Sequence, residues 1–263
     1  MMKKLLFLIT LTINPAVFAQ TTDDVDGALI TDRPDATESP SLVRRGYLQI
    51  ETGGFYIDSE ENGVDIKETT FNTTLLRYGL LNNLELRLGL DTRRTQFEID
   101  GRELEGDLSG TSPLLLGAKI GIAPENGWMP QIAILGHLYL PLTASSDYQP
   151  ETTGMDFRFA FNHTLSNRSG LAYNLGASVG PNNPELSYLY TIAYGYSLTD
   201  KIGSYIEIYG DFPENSSANH LWDAGFTYLA NDDLQFDVTF GSGFTNGQNL
   251  LLSAGLSYRI RNL

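Results

Sequence analysis

The chain has 263 residues, with 32 acidic side chains against 17 basic ones and no cysteine. The net charge of −15 argues against nucleic acid as a partner, because duplex binding depends on cationic neutralisation of phosphates. The lack of cysteine excludes disulfides, a cysteine nucleophile, a thiolate metal site and an acylated cysteine anchor. No apolar run reaches the roughly 18 residues that a membrane-spanning helix needs, which excludes a helical membrane protein.

The first 19 residues have the three parts of a secretory signal peptide. Residues 1–19 carry two early lysines, an apolar run over 5–13 and a small residue, Ala19, at the end. The run is too short for a membrane anchor, so we predict that the leader is removed and that the protein leaves the bacterial cytoplasm. A buried N-terminal helix is the alternative interpretation.

The next segment differs from all that follows it. Residues 20–45 are polar, contain Pro34 and Pro40 and show no sustained periodicity, which predicts an extended, turn-rich N-terminal segment. The third part, residues 46–263, forms the folded domain.

Alternation with a period of two dominates the third part. Leu84, Leu86 and Leu88, for example, alternate with Glu85 and Arg87, so one face of the segment is apolar and the other polar. The runs of this kind are residues 46–58, 64–79, 84–98, 112–122, 130–142, 153–165, 170–181, 186–197, 202–213, 219–229, 234–244 and 249–260. These are about twelve strands, each long enough for the ~9–11 residues that cross a bilayer when tilted.

The links between these strands alternate between short and long. Tight turns such as 166–169 and 230–233 alternate with longer links, of which 99–111 and 143–152 are the longest and are acidic. Short turns on one side, longer loops on the other and an even strand number predict an all-β fold: an antiparallel transmembrane β-barrel of about 12 strands with both termini in the periplasm.

Two soluble folds are the alternatives. A β-sandwich would bury the same leucines between two sheets, and a lipocalin-like barrel would enclose them. Charged or glycine residues on the polar face of nearly every strand argue against the sandwich, because soluble sheets break their pattern at edge strands. About twelve strands also enclose a lumen too wide for an apolar lining to fill. Tyrosines at strand ends on the apolar face further favour an interfacial girdle: Tyr78, Tyr196, Tyr228 and Tyr258.

If the polar face lines the lumen, the pore-lining candidates follow from the alternation. They are Glu51, Arg77, Glu85, Arg87, Asp91, Arg93, Lys119, Asp156, Arg158, Glu207, Asp211, Asp223, Asp237 and Arg259. We expect these charges to be hydrated or paired, and we expect a cluster of Glu51 with Arg77 and Arg259 once the barrel closes. Such ion pairs either brace the lumen or act in weak selection of permeants.

The N-terminal segment has two interpretations. Asp32, Arg33, Asp35 and Glu38 either form a plug in the barrel mouth, with Arg33 paired to lumen acids, or belong to a periplasmic leader for assembly or a partner. The two prolines favour docking, because they lower the entropy lost on ordering the chain.

The sequence predicts no catalytic, cofactor or metal site. His137 faces inward and His163 outward by the alternation, so these two cannot share a metal. No nucleophile elbow, phosphate loop or HExxH motif is present. An outer-membrane lipid hydrolase with a barrel-wall serine–histidine pair remains an alternative, although no serine–histidine–acid set lies on one plausible face.

Several segments resemble one bacterial family, the outer-membrane transporters of the MetA pathway of phenol degradation. The segments are TDRPDATESP at 31–40, GYLQIETG at 46–53, LRYGL at 76–80, LELR at 84–87, GAK at 117–119, GYSLTDK at 195–201, EIYG at 207–210, DAG at 223–225 and LQFD at 234–237. The resemblance implies an outer-membrane barrel of the transporter type. The chain departs from such barrels by ending on Leu263 instead of an aromatic residue, so the last strand either accepts that end or stops at Ile260.

The function hypothesis is therefore an outer-membrane channel that passes or binds an unknown small-molecule solute by passive diffusion. A barrel closed by ion pairs, with a structural or surface-interaction role, is the alternative. The expected partners are outer-membrane lipid and lipopolysaccharide, the barrel-assembly machinery and the solute.

Overall fold

The computed structural model describes residues 27–180, 185–245 and 247–263. The predicted signal peptide, residues 1–19, and the start of the segment predicted at 20–45 lie outside the described residues. The strands are β1 (Leu48–Glu61), β2 (Val64–Leu81), β3 (Leu84–Ile99), β4 (Arg102–Glu103), β5 (Leu108–Thr111), β6 (Leu114–Ala123), β7 (Gln131–Leu140), β8 (Gly154–Ser166), β9 (Ser169–Val179), β10 (Leu186–Ser197), β11 (Ile202–Pro213), β12 (Asn219–Asn231), β13 (Leu234–Gly243) and β14 (Gln248–Ile260). Two short 3-10 helices, Pro141–Thr143 and Ser146–Tyr148, follow β7.

The strands close into one antiparallel barrel. Each pairs with its neighbours in sequence, and β1 closes the ring by pairing with β14 on one side and β2 on the other. β5 and β6 follow each other along β3 and act as one barrel strand, whereas β4 is a two-residue excursion. The barrel therefore has twelve strands, which confirms the predicted antiparallel barrel of about 12 strands. No helix within the described ranges is long and apolar enough to cross a membrane.

The two ends of the barrel differ. At the turn end, short links at 82–83, 124–130, 167–168, 198–201 and 232–233 join the strands. At the loop end lie the longer connections, including 141–153. β1 starts and β14 finishes at the turn end, and the last strand stops at Ile260, one of the two options that the sequence left open.

Several predicted boundaries shift by one or two residues, and one predicted link contains a strand. The stretch 99–111 was expected to be wholly a loop, but β5 lies inside it and continues the wall along β3. The alternation is hidden there because Gly110 has a φ of +149° and Pro113 interrupts the ladder between β5 and β6. The link between the strands predicted at 64–79 and 84–98 shrinks to two residues, since β2 extends to Leu81.

The outer face of the barrel is apolar and exposed. Side chains that alternate outward remain 38 to 55% exposed on strands all around the ring: Leu86, Leu116, Leu138, Phe159, Ile192, Ile206, Val238 and Leu252. Tyr196, Tyr228 and Tyr258 lie outward near the turn end and are also exposed. A continuous apolar belt with tyrosines at its border matches the lipid-facing surface of an outer-membrane barrel.

Candidate functional site: a plugged lumen

Residues 27–45, here called the plug, enter the barrel and return to the same end. The Leu29 amide donates to the Asp232 carbonyl at 2.8 Å, which fixes the entry at the turn end. The Gly46 amide donates to the Gly79 carbonyl at 2.7 Å, where the chain turns into β1. A Cβ on Gly79 would lie 2.1 Å from the Arg44 carbonyl oxygen, so the plug passes this close to the wall only because residue 79 is glycine.

A buried group of charges, the ionic cluster, holds the plug against β1, β2, β3 and β6. It consists of Asp32 and Glu38 from the plug and Glu51, Glu85, Arg77, Arg87 and Lys119 from the wall. Arg77 contacts Glu51 at 2.8 Å, Glu85 at 2.9 Å and Asp32 at 3.1 Å. Arg87 and Lys119 contact Asp32 at 2.6 and 2.8 Å.

The charges of the ionic cluster nearly cancel, with four acids and three bases. Buried charged side chains are tolerated only when each charge is paired and hydrogen-bonded. Burial alone would raise the pKa of Asp32, but the opposing attraction of Arg77, Lys119 and Arg87 holds it well below its usual range. Asp32 therefore stays ionised, and its contribution to docking is complete above the ordinary pKa of aspartate and is lost only as the pH falls below it.

Arg33 makes a second anchor on β13 and β14. Its guanidinium contacts Asp237 at 2.9 and 3.2 Å and Ser253 at 3.0 Å. A Cβ on Gly53 or Gly255 would lie within 2.7 Å of the guanidinium, so the side chain fits only because both wall positions are glycine. This two-pronged contact fixes the direction in which the plug crosses the lumen.

The plug tip, residues 35–38, rests on β9, β10 and β11. The Ala36 amide donates to Glu207 at 2.7 Å, and the Thr37 hydroxyl donates to the same carboxylate. The hydroxyls of Thr37 and Thr191 lie 2.6 Å apart. Asn174 pairs with the backbone of Glu38 through both of its amide atoms, at 2.7 and 2.9 Å. Apart from the Glu38 side chain, which pairs with Arg87 at 2.8 Å in the ionic cluster, the tip is held by hydrogen bonds and by no ion pair within the described residues.

A cavity of about 480 Å³, the vestibule, opens beside the plug at the turn end. It lies between the plug and β8 to β12, and small residues such as Gly170, Gly195 and Gly203 form much of its wall. Its inner end is lined by Asp35 and Tyr205, next to the plug tip. The lumen is consequently unfilled on this side and filled on the side of the ionic cluster.

Apolar side chains face the lumen nearer the loop end. Residues directly opposite each other in an antiparallel ladder lie on one face, and Leu115 is opposite Gly89, while Leu251 is opposite Ile57. Applied along the strands, this register defines the collar: Phe55, Ile57, Leu115, Leu189, Leu221 and Leu251. Leu75 also faces inward, but it lies opposite Glu51, at the level of the ionic cluster. Leu251 is 6% exposed and the others are half-buried.

Sequence reasoning missed the collar. It treated the inward face as uniformly polar, although inward positions such as Leu75 and Leu115 could have been found by carrying the alternation through each strand. The adjacent leucines at 75 and 76 already place one apolar side chain on each face.

The structure distributes the pore-lining candidates over several local groups. Glu51, Arg77, Glu85, Arg87 and Lys119 meet in the ionic cluster, and Asp237 meets Arg33. The remaining inward candidates and their contacts are Asp91, which is half-buried; Arg93, with Glu68 at 3.4 Å; Asp156, with His137 at 3.1 Å; Arg158, with the Ala36 carbonyl at 3.2 Å; Asp211, with Ser187 at 2.8 Å; and Asp223, opposite Glu207.

The prediction that Arg259 contacts Glu51 is wrong. Arg259 lies at the turn end and contacts Asp233 at 2.7 Å and the Gly27 carbonyl at 2.7 Å. β14 brings Ser257, and not Arg259, opposite Glu51. The alternation gives the correct face but cannot supply the stagger between strands that are far apart in sequence.

The lumen contains one histidine–carboxylate pair. His137 Nδ1 lies 3.1 Å from Asp156, which also accepts from the Tyr139 hydroxyl at 2.7 Å. No serine is hydrogen-bonded to His137 in the part of the chain that the structure describes. Nor does any group of three or more potential metal ligands occur there.

Comparison with known proteins points to one family. A family model described as "Putative MetA-pathway of phenol degradation" matches residues 31–260. Comparison with curated proteins finds no match.

Solved structures share the fold. The COG4313 outer membrane channel from Pseudomonas putida F1 is 13% identical, with a TM-score of 0.65 over 84% of this chain and 97% of that one. The translocator domain of the autotransporter NalP from Neisseria meningitidis is 14% identical, with a TM-score of 0.53 over 83% and 90%. The KdgM porin in complex with disordered oligogalacturonate is 10% identical, with a TM-score of 0.53 over 80% and 98%.

Proposed function

Because the chain belongs to the family described as "Putative MetA-pathway of phenol degradation", we propose that it is an outer-membrane channel through which small solutes cross by passive diffusion. The turn end faces the periplasm and the loop end the outside, as short turns and long loops do in such barrels. Outer-membrane lipid and lipopolysaccharide contact the apolar outer face, and the barrel-assembly machinery inserts the exported chain.

The observation that carries this proposal is the division of the lumen into two unlike halves. In the half near the loop end, side chains of the collar face the lumen beside polar ones such as Arg93 and Asp211, whereas the plug with its charges fills most of the half near the turn end. If the lumen side chains served only to stabilise the barrel wall, an apolar lining around a water-filled space would not be needed. Such a lining instead favours a solute that is uncharged overall and has an apolar part.

Acidic loop residues support the same class of solute. The strand ends and loops at the loop end carry Glu60, Glu61, Glu103, Glu105, Asp107, Asp147 and Glu151. Clustered negative charge lowers the local concentration of anions. Anionic solutes are therefore expected to enter slowly.

Swelling of proteoliposomes tests the proposal. Leucine and asparagine are nearly equal in size, are net-uncharged and do not cross lipid, but only leucine has an apolar side chain. We expect leucine to enter about threefold or more faster than asparagine, because it alone gains from apolar contact in the collar. Glutamate should enter most slowly of the three.

A matched pair of variants shows where the preference arises. Leu115→Asn combined with Leu251→Asn should abolish the preference for leucine. Leu229→Asn, on the lumen face outside the collar, should preserve it. Equal entry of leucine and asparagine through the wild-type barrel would contradict the proposed solute class.

A closed barrel with a structural role is the second candidate. The contacts of the plug tip with β9 to β11 favour it, since they separate the vestibule from the rest of the lumen. Planar-bilayer recordings decide between the two. If purified, folded protein shows no openings with or without residues 20–45, the channel must be abandoned in favour of the closed barrel.

A further inference from the structure

The plug is anchored unevenly. Its base, residues 29–33, is held by the ionic cluster through Asp32 and by Asp237 through Arg33. Residues 35–37 of its tip have only hydrogen bonds to the opposite wall, whereas Glu38, where the tip rejoins the base, also pairs with Arg87 at 2.8 Å. A hydrogen bond, even one to a carboxylate such as that of Glu207, contributes less to docking than is lost when a buried ion pair is broken. Residues 35–37 of the tip can therefore leave their seat while Asp32, Arg33 and Glu38 stay docked.

The seat of the tip carries like charges. Glu207 and Asp223 lie directly opposite each other on neighbouring strands. Asp223 is 2% exposed, and its Oδ1 has no hydrogen-bond partner among the described residues. Like charges directly opposite each other destabilise a sheet. The wall that receives the tip thus places two carboxyl groups side by side.

Asp35 brings a third carboxyl group to this seat. Burial, and then the nearby charges of Glu207 and Asp223, raise the pKa of Asp35 well above its usual range. Arg158 is the cation that approaches from β8, and its guanidinium donates to the Ala36 carbonyl at 3.2 Å. Docking the tip consequently carries an electrostatic cost that docking the base does not.

Open space lies directly beneath the tip. The vestibule runs from the turn end to Asp35, and a Cβ built on Gly195 would meet no atom within 4 Å. Once the tip moves, the vestibule joins the part of the lumen that the collar lines, with no need for the base to move.

We infer that solutes cross beside a docked plug, along the β9–β11 wall, and that the plug tip is the gate of this route. The inference rests on the proposed function and adds the path and the moving part. Because the chain has no cysteine, introduced cysteines can test both without background.

The first test locks the tip. In the Thr37→Cys, Thr191→Cys double variant the two sulfur atoms replace hydroxyls that lie 2.6 Å apart, so oxidation should form a disulfide. Oxidised protein should show leucine entry at the rate of protein-free liposomes, and reduction should restore it. The Thr37→Cys single variant, which has no second cysteine, should show the same rate of leucine entry before and after oxidation.

The second test blocks the path. Gly195→Cys, labelled with a bulky maleimide, should also reduce leucine entry to the protein-free rate. Trp128→Cys is the matched control, because residue 128 is 87% exposed in a link at the turn end and does not line the vestibule. Its labelled form should pass leucine normally. Heat-modifiable gel mobility shows that each variant is folded.

Two results would contradict the proposal that the plug tip is the gate. Undiminished entry through the disulfide-locked barrel would mean that the tip need not move. If the disulfide stops leucine entry but the Gly195→Cys adduct reduces it only in part, the whole plug leaves the lumen and the route is wide. Absence of both solute entry and ion current from the wild-type protein would instead refute the proposed function itself.

Discussion

The Arg77→Met variant is expected to lose about 3–5 kcal/mol of unfolding free energy, the largest loss for a single substitution in the lumen. Arg77 is buried and bridges three carboxylates, those of Asp32, Glu51 and Glu85. Methionine keeps much of the side-chain volume but leaves these acids with only Arg87 and Lys119 as counter-charges. Urea unfolding in lipid vesicles, followed by tryptophan fluorescence, measures the loss.

Arg93→Met provides the matched control. Arg93 also faces the lumen, but its partner Glu68 is 3.4 Å away and both side chains are about 30% exposed. Partly hydrated pairs contribute about 0–1 kcal/mol, so this variant should remain close to the wild type. Similar losses for the two variants would show that the ionic cluster has no special role.

Deletion of residues 27–41 is expected to raise the single-channel conductance several-fold. The barrel wall keeps its complete ladder without these residues, because none of them belongs to a barrel strand. Water can then hydrate the charges that the plug covered, including Arg87, Lys119 and Glu207. Single-channel recording in planar bilayers, together with heat-modifiable mobility as a test of folding, checks this result.

Deletion of residues 20–26, which precede the plug, is the control and should leave the conductance unchanged. An unaltered conductance after deletion of 27–41 would mean that the current does not pass through the space that the plug occupies.

The barrel itself could be predicted from local pattern alone. In the segment that begins at Leu84, apolar and polar side chains alternate without interruption, and the structure forms β3 there with Leu86 and Leu88 exposed on the outer face. Where the pattern is broken by Gly110 and Pro113, the prediction failed. Local chemistry therefore determined the existence of the strands and most of their bounds.

The interior could be predicted only in part. The face of each charged residue followed from the alternation, but partners did not, because the contacts join residues far apart in sequence. Arg33 contacts Asp237, which lies 204 positions away in the sequence. Arg259 does not contact Glu51, because the stagger of β14 against β1 is determined by the closed ring. The collar was missed because a pattern that assigns each strand one polar and one apolar face does not predict leucine side chains in a hydrated lumen.

An exchange of charges between Arg33 and Asp237 tests most directly whether the plug is docked by specific ion pairs inside the lumen. Asp237→Arg places two cations face to face, so single-channel conductance and leucine entry should both rise. Adding Arg33→Asp restores an attractive pair and should return both values toward those of the wild type. If Asp237→Arg leaves both values unchanged, or if the second substitution gives no restoration, the plug is not held in the lumen by this contact.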